Sequence, residues 1–220
     1  MDDHRDGLYH ELYQTKLKED VKIAIDKDVP RTQSEIITKQ QRTKLRNILY
    51  AYANYDENLG YTQGMNSIVF MLIYYVKDEE KAFWCFYDIM FHKSFRLMFH
   101  KNMPKLTKLI KMCRIKLHEA MPKLYTRLVK YTVPLIGIFA QYYTTIFLYE
   151  GKVDIVCRIY DVFLYKGEKI VMQIVLNLYK YYREYMLQLS QDQLMNFCSK
   201  DILYAYVKER SMKSLFANIS

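Results

Sequence analysis

With 220 residues, 51% of them apolar, the chain has enough material for one large domain with a substantial core and needs no covalent staple to fold. Four prolines and six glycines are too few for the many tight turns of a sandwich or barrel, whereas helices joined by polar loops need far fewer, so the composition implies an all-α fold. The net charge of +9 raises nucleic acid as a partner, but no RNA- or DNA-reading motif accompanies it, and no nucleic-acid partner is expected.

The chain opens with MDDHRDGLYHELYQ, a charged stretch without the apolar centre of a signal peptide, which points to a cytoplasmic protein. Over residues 39–55, Leu45, Ile48, Leu49 and Tyr52 recur at the spacing that lays one apolar stripe along a helix, and Asp56 to Gly60 ends it. A second helix with Val69, Phe70, Leu72 and Ile73 follows the segment GYTQGMN, and a third around Trp84 turns Phe83, Phe86, Tyr87 and Met90 inward. Prolines open two more helices, over residues 104–117 and 122–131, where the missing amide is tolerated in a first turn. Ser190 and Gln193 are spaced as a capping box at the start of a later helix.

Residues 59–76 and 131–149 are uncharged and long enough to be tested as membrane spans. Gln63 and Asn66 in the first, and Pro134 and Gln141 in the second, make buried core helices the better reading. Residues 101–130 hold nine Lys or Arg against the single acid Glu119. Leu106, Leu109, Ile110, Cys113 and Leu117 keep an apolar stripe there, which predicts the lysines on the opposite, solvated face, available to an anionic membrane or an acidic partner.

Cys85, Cys113, Cys157 and Cys198 lie far apart among apolar neighbours and read as reduced core thiols. His4, His10, His92, His100 and His118 form no paired ligand pattern, so no metal is expected. There is neither a GxxxxGK[ST] loop nor a GxGxxG turn to cradle phosphates, so no cofactor or nucleotide site of the chain's own is expected. Arg158 and Asp161 read as a buried structural pair and Trp84 as core.

Taken singly, Arg31 is a solvated surface arginine and Gln63 a polar residue near a helix start. Their surroundings change that reading. Ile25-Asp26-Lys27-Asp28-Val29-Pro30-Arg31-Thr32 matches an IxxDxxRT signature and Tyr61-Thr62-Gln63 a YxQ signature, in the order and separation that mark the TBC domain family of Rab GTPase-activating proteins. The segment LRNILYAYANYDENLGYTQGMN between and around them is similar to that family, as are KAFWCF at 81–86, MPKLYTRL at 121–128 and RIYDVFLYKGEKI at 158–170. Two positions depart from the pattern. The arginine and tryptophan motif that usually precedes IxxDxxRT is absent, and Tyr160 stands where the family has a tryptophan.

The resemblance implies a single TBC domain over residues 1–220, missing or divergent at its N-terminal edge, with two helical lobes forming a groove. It implies a GTP-bound Rab as partner, GTP and Mg2+ arriving with that partner, and a role in vesicle trafficking on or near endomembranes. Arg31 would be an arginine finger and Gln63 a glutamine finger, supported by Asp28, Thr32, Tyr61, Gly64 and Asn66. A non-catalytic scaffold that binds a Rab is the alternative. Independently of the resemblance, Asp28 is placed to hold the Arg31 guanidinium, Pro30 favours an extended Val29 and hence a loop, and glycines on both sides of Gln63 permit unusual backbone angles.

Overall fold

A computed structural model of the chain describes residues 5–149 and 151–216, and His4 with the first residues of the charged N-terminal stretch lies outside them. The described residues form helices and turns with no strand, in two compact units, residues 1–104 and 105–220.

In the first unit α1 (Leu8–Gln14), α2 (Glu19–Asp28), α4 (Met65–Tyr75) and α5 (Glu79–Phe91) all pack on α3 (Lys39–Tyr55). The central place of α3 follows from its side chains: Leu45, Ile48, Leu49 and Tyr52 are fully buried, and small Ala51 and Ala53 let neighbours approach on a second side. Its start is fixed by a capping box in which the Thr38 hydroxyl accepts from the Gln41 amide and the Gln41 side chain accepts from the Thr38 amide. Helix α4 buries eight of its eleven residues, which accounts for its nearly uninterrupted apolar sequence. Asp78 caps α5, whose Phe83, Phe86, Tyr87 and Met90 face the core as the periodicity predicts. Trp84 differs from expectation: it is only half-buried, its ring edge-on to Phe83 and Tyr87, because it sits one residue off the buried stripe.

In the second unit α6 (Pro104–Ala120) and α7 (Pro122–Lys130) bury Leu106, Ile110, Cys113 and Leu117, and Leu124 and Leu128, respectively. Next come α8 (Leu135–Thr145), α9 (Val153–Lys166) and α10 (Lys169–Tyr181), and α9 packs on α10. The chain then runs through α11 (Arg183–Met186), α12 (Gln191–Asn196), a π-helical turn at Phe197–Asp201, α13 (Ile202–Glu209) and α14 (Met212–Leu215). The capping box of Ser190 and Gln193 is formed at the start of α12. Tyr160 fills its buried position and donates its hydroxyl to the Thr145 carbonyl at 3.2 Å.

Residues 59–76 and 131–149 become α4 and α8 with their flanking turns, and among the described residues no helix is long and apolar enough to cross a membrane. Two ionic expectations are corrected. Arg158 and Asp161 are 3.9 Å apart with side chains 72% and 52% exposed, since they lie on the face of α9 opposite Ile155, Ile159 and Phe163. Lys105 is not on the solvated face of α6 but half-buried, with its Nζ 2.9 Å from Glu168. Among the cysteines, Cys113 and Cys198 are buried and Cys85 and Cys157 only partly so, and no disulfide joins them.

Candidate functional site

Helix α2 does not stop at Asp28 but tightens into a 3-10 turn, Val29–Arg31. Fully buried Ile25 and Val29 anchor this turn in the core, leaving Pro30 and Arg31 on the outside. Val29 has φ −55° and ψ −47°, helical and not extended, which corrects the expectation drawn from Pro30. The usual bias against a helical residue before proline is overridden here by the burial of Val29 and by the bonds that close the turn. The Thr32 amide reaches the Asp28 carbonyl at 3.1 Å and the Thr32 hydroxyl donates to that same carbonyl at 2.8 Å.

Arg31 is exposed yet tethered. Its Nε donates to the Lys27 carbonyl at 3.0 Å and its Nη2 to Asp28 Oδ1 at 2.9 Å. The Arg31 side chain is 61% exposed and that of Asp28 13%. An ion pair so open to water is worth between 0 and about 1 kcal/mol, so it biases the guanidinium toward one geometry without holding it against a competing anion.

The second half of the site is the loop between α3 and α4. The Gly60 amide folds back on the Asp56 carbonyl at 2.7 Å, with Gly60 at φ 62°. Gly64 has φ 107° and ψ −30°, a conformation that any side chain would strain, and it caps α4 through backbone shape alone. Its amide donates to Asn66 Oδ1 at 2.9 Å, a short-range bond that orients the Asn66 amide. Gln63, between Thr62 and Gly64, is exposed.

Two hydrogen bonds join the halves. The Tyr61 hydroxyl donates to Asp28 Oδ2 at 2.8 Å, with Asn66 Oδ1 3.2 Å away, and Asn66 Nδ2 donates to the Thr32 hydroxyl oxygen at 2.8 Å. Burial, and after it the Asp28 carboxylate, push the Tyr61 hydroxyl well above the usual tyrosine range, so it stays a donor at any physiological pH. Asp28 thus spends one oxygen on Arg31 and the other on Tyr61. Thr32, nearly fully buried, passes the chain of bonds from Asn66 to the Asp28 carbonyl.

The seven residues singled out in the sequence therefore occupy two neighbouring turns. Asp28, Arg31, Thr32, Tyr61, Asn66 and the Gly64 amide form one hydrogen-bonded set, and Gln63 projects from the same loop as Tyr61 and Gly64. What sequence reasoning missed is the pairing: nothing in the spacing says that Tyr61 meets Asp28 or that Asn66 meets Thr32, since the partners are 33 and 34 residues apart. No three His, Cys, Asp or Glu side chains among the described residues come together as a metal-binding group.

A family model described as the Rab-GTPase-TBC domain matches residues 1–187. The GTPase-activating protein GYP5 of Eremothecium gossypii is 30% identical over 207 residues, covering 94% of this chain and 24% of its own length. GYP5 of Saccharomyces cerevisiae is 27% identical over 201 residues, covering 91% of this chain and 22% of its own. The chain thus spans less than a quarter of the length of these curated relatives. Among solved structures, the Chlamydomonas flagellar RabGAP TBC domain shares the fold with a TM-score of 0.75 at 20% identity, over 98% of this chain and 73% of that one. By the extent of the family match, the chain belongs to the Rab-GTPase-TBC domain family.

Proposed function

We propose that the chain accelerates GTP hydrolysis by a Rab-type small GTPase in its GTP-bound form, with Arg31 and Gln63 entering the partner's nucleotide site and GTP and Mg2+ arriving with that partner. The observation that carries this reading is the pair of hydrogen bonds, Tyr61 to Asp28 and Asn66 to Thr32, that ties the Arg31 turn to the Gln63 loop while both side chains remain exposed. Hydrolysis needs charge compensation on the phosphoryl oxygens and an attacking water held in line. A guanidinium brings a permanent charge and a planar set of donors, and such a finger is worth about 10³ to 10⁵ in rate. A glutamine amide offers a donor and an acceptor together, which is what orienting a water against a phosphate requires.

The weak Asp28 tether fits this role. It preorganises the guanidinium before the encounter, and a phosphate displaces it at little cost. The activity places the chain among regulators of vesicle trafficking that act on the cytoplasmic face of endomembranes. The test is single-turnover phosphate release from a panel of purified GTP-loaded Rab proteins, with Arg31→Ala as control. The expected result is strong acceleration of at least one member by the wild type and loss of most of it in the variant. Acceleration that Arg31→Ala retains, with an unchanged melt, would overturn the finger assignment; binding of a Rab without acceleration would make the chain a scaffold.

A further inference from the structure

We infer that the outer face of α6, with the adjoining flank of α7, is a docking surface for an anionic lipid membrane. The cations of residues 101–130 are sorted by type. Both arginines are turned to intramolecular work: Arg114 Nη2 donates to the Tyr125 hydroxyl at 3.1 Å, and Arg127 Nη2 donates to the Leu189 carbonyl while its guanidinium lies 4.5 Å from the centre of the Tyr131 ring. Lys105 is matched by Glu168 and Lys116 by Glu119, each at 2.9 Å. Lys108, Lys111, Lys123 and Lys130 are exposed and have no ion pair among the described residues.

The helix geometry gathers part of this set. Leu106, Ile110, Cys113 and Leu117 mark the buried side of α6, and at 100° per residue Lys108, Lys111, Met112 and Ile115 fall on the opposite side. Met112 and Ile115 are 40% and 45% exposed. On the flank of α6, Arg114 and His118 meet Tyr125 of α7, and Val129, one turn on from Tyr125, is 52% exposed. The result is three large apolar side chains set among exposed lysines on adjoining helices, within a stretch that holds nine Lys or Arg against one acid.

That combination suits lipid better than an acidic protein. Lysine is a point charge on a long stem that reaches a headgroup phosphate while its methylenes lie along the acyl boundary. Exposed Met, Ile and Val beside it have no favourable place against a charged, hydrated protein surface but gain by entering the headgroup layer. The occupant is therefore a bilayer bearing anionic headgroups, held by charge and by shallow insertion of Met112, Ile115 and Val129.

The test is co-sedimentation of the purified chain with vesicles of phosphatidylcholine alone and of phosphatidylcholine mixed with phosphatidylserine. The lipid arm does not depend on GTPase activation. Binding is expected only with phosphatidylserine, weakening as salt rises. The double variant Lys108→Ala with Lys111→Ala should bind roughly 30-fold more weakly, from the usual contribution of a lysine near an anionic surface. Ile115→Ser should weaken the binding that survives at high salt. All three side chains are exposed, so melting temperatures should not move. Absence of binding to phosphatidylserine vesicles, or binding equal in wild type and both variants, overturns the proposal. So does normal lipid binding by variants that have lost stimulation of a soluble, lipid-free Rab, since the face would then be a contact for the GTPase.

Discussion

Arg31 and Tyr61 share one carboxylate, and their substitution should separate function from stability. Arg31→Ala removes an exposed side chain whose tether is a water-screened ion pair, so its melting temperature should stay near wild type while its stimulation of GTP hydrolysis by a Rab falls steeply. Gln63→Ala should behave alike, because Gln63 is exposed. If both act on one transition state, the double variant should lose far less than the product of the single losses, as removing either already dismantles the arrangement. Arg31→Lys should not restore activity, since a lysine keeps the charge without the planar donor set. Tyr61→Phe acts on the other side: it leaves the largely buried Asp28 carboxylate one donor short and should cost about 1–3 kcal/mol of stability. A thermal melt of Tyr61→Phe that matches wild type would show that the two turns are held together by something other than this bond.

At the scale of elements, the most exposed dependency is the end of α3. Asp56 caps the helix almost fully buried, and it accepts from the Tyr52 hydroxyl at 3.0 Å and from both Nε and Nη2 of Arg96, at 2.5 and 2.8 Å, in the 3-10 turn Phe95–Met98. Arg96→Ala would strand this carboxylate, and a buried charge left with one neutral donor costs on the order of 3–5 kcal/mol. Urea denaturation should show the unfolding free energy falling by that amount, and a loss under about 1 kcal/mol would mean that water replaces the guanidinium. None of this was legible in the sequence, because the partners are 40 residues apart and belong to elements whose approach is set by packing. Local features were legible: α3 over Lys39–Tyr55 from its stripe, the α12 capping box from its spacing, and the positive φ of Gly60 and Gly64 from the glycines themselves. The Thr38 and Gln41 box on α3 carries the same spacing signal. Local rules failed where tertiary context overrode them. The burial of Val29 outweighed the effect of Pro30 on its backbone, and Glu168, 63 positions downstream, drew Lys105 off the solvated face. At the site, the residue types and their order were readable, whereas the bonds from Tyr61 to Asp28 and from Asn66 to Thr32 required the fold.

The whole molecule carries 22 tyrosines, and their burial is uneven: Tyr9, Tyr52, Tyr142, Tyr143, Tyr160 and Tyr179 are almost completely buried, while Tyr149, Tyr165 and Tyr185 face solvent. Burial pushes the hydroxyls of Tyr9, Tyr52 and Tyr143 far above the usual value of 10.0, reinforced at Tyr9 by Glu79 and at Tyr52 by Asp56, and Tyr61 behaves alike. Burial, and after it the hydrogen bond to Asp26, raise Tyr50 to about 12. The consequence for stability has a definite sign. Below pH 10 both folded and unfolded chains keep these protons and the full stability is present; above it the unfolded chain releases them while the folded chain cannot. Stability therefore falls as pH rises past 10, by up to about 1.4 kcal/mol per pH unit for each such tyrosine. Because Tyr52 lies in the first unit and Tyr143 in the second, both should be affected. Monitoring tyrosinate absorbance and helical circular dichroism together on raising the pH should show the buried tyrosines ionising only in step with the loss of helix. A single titration of all tyrosines near pH 10 with unchanged helix content would mean that water reaches the buried hydroxyls without unfolding, and that their burial contributes nothing to the pH dependence of the fold.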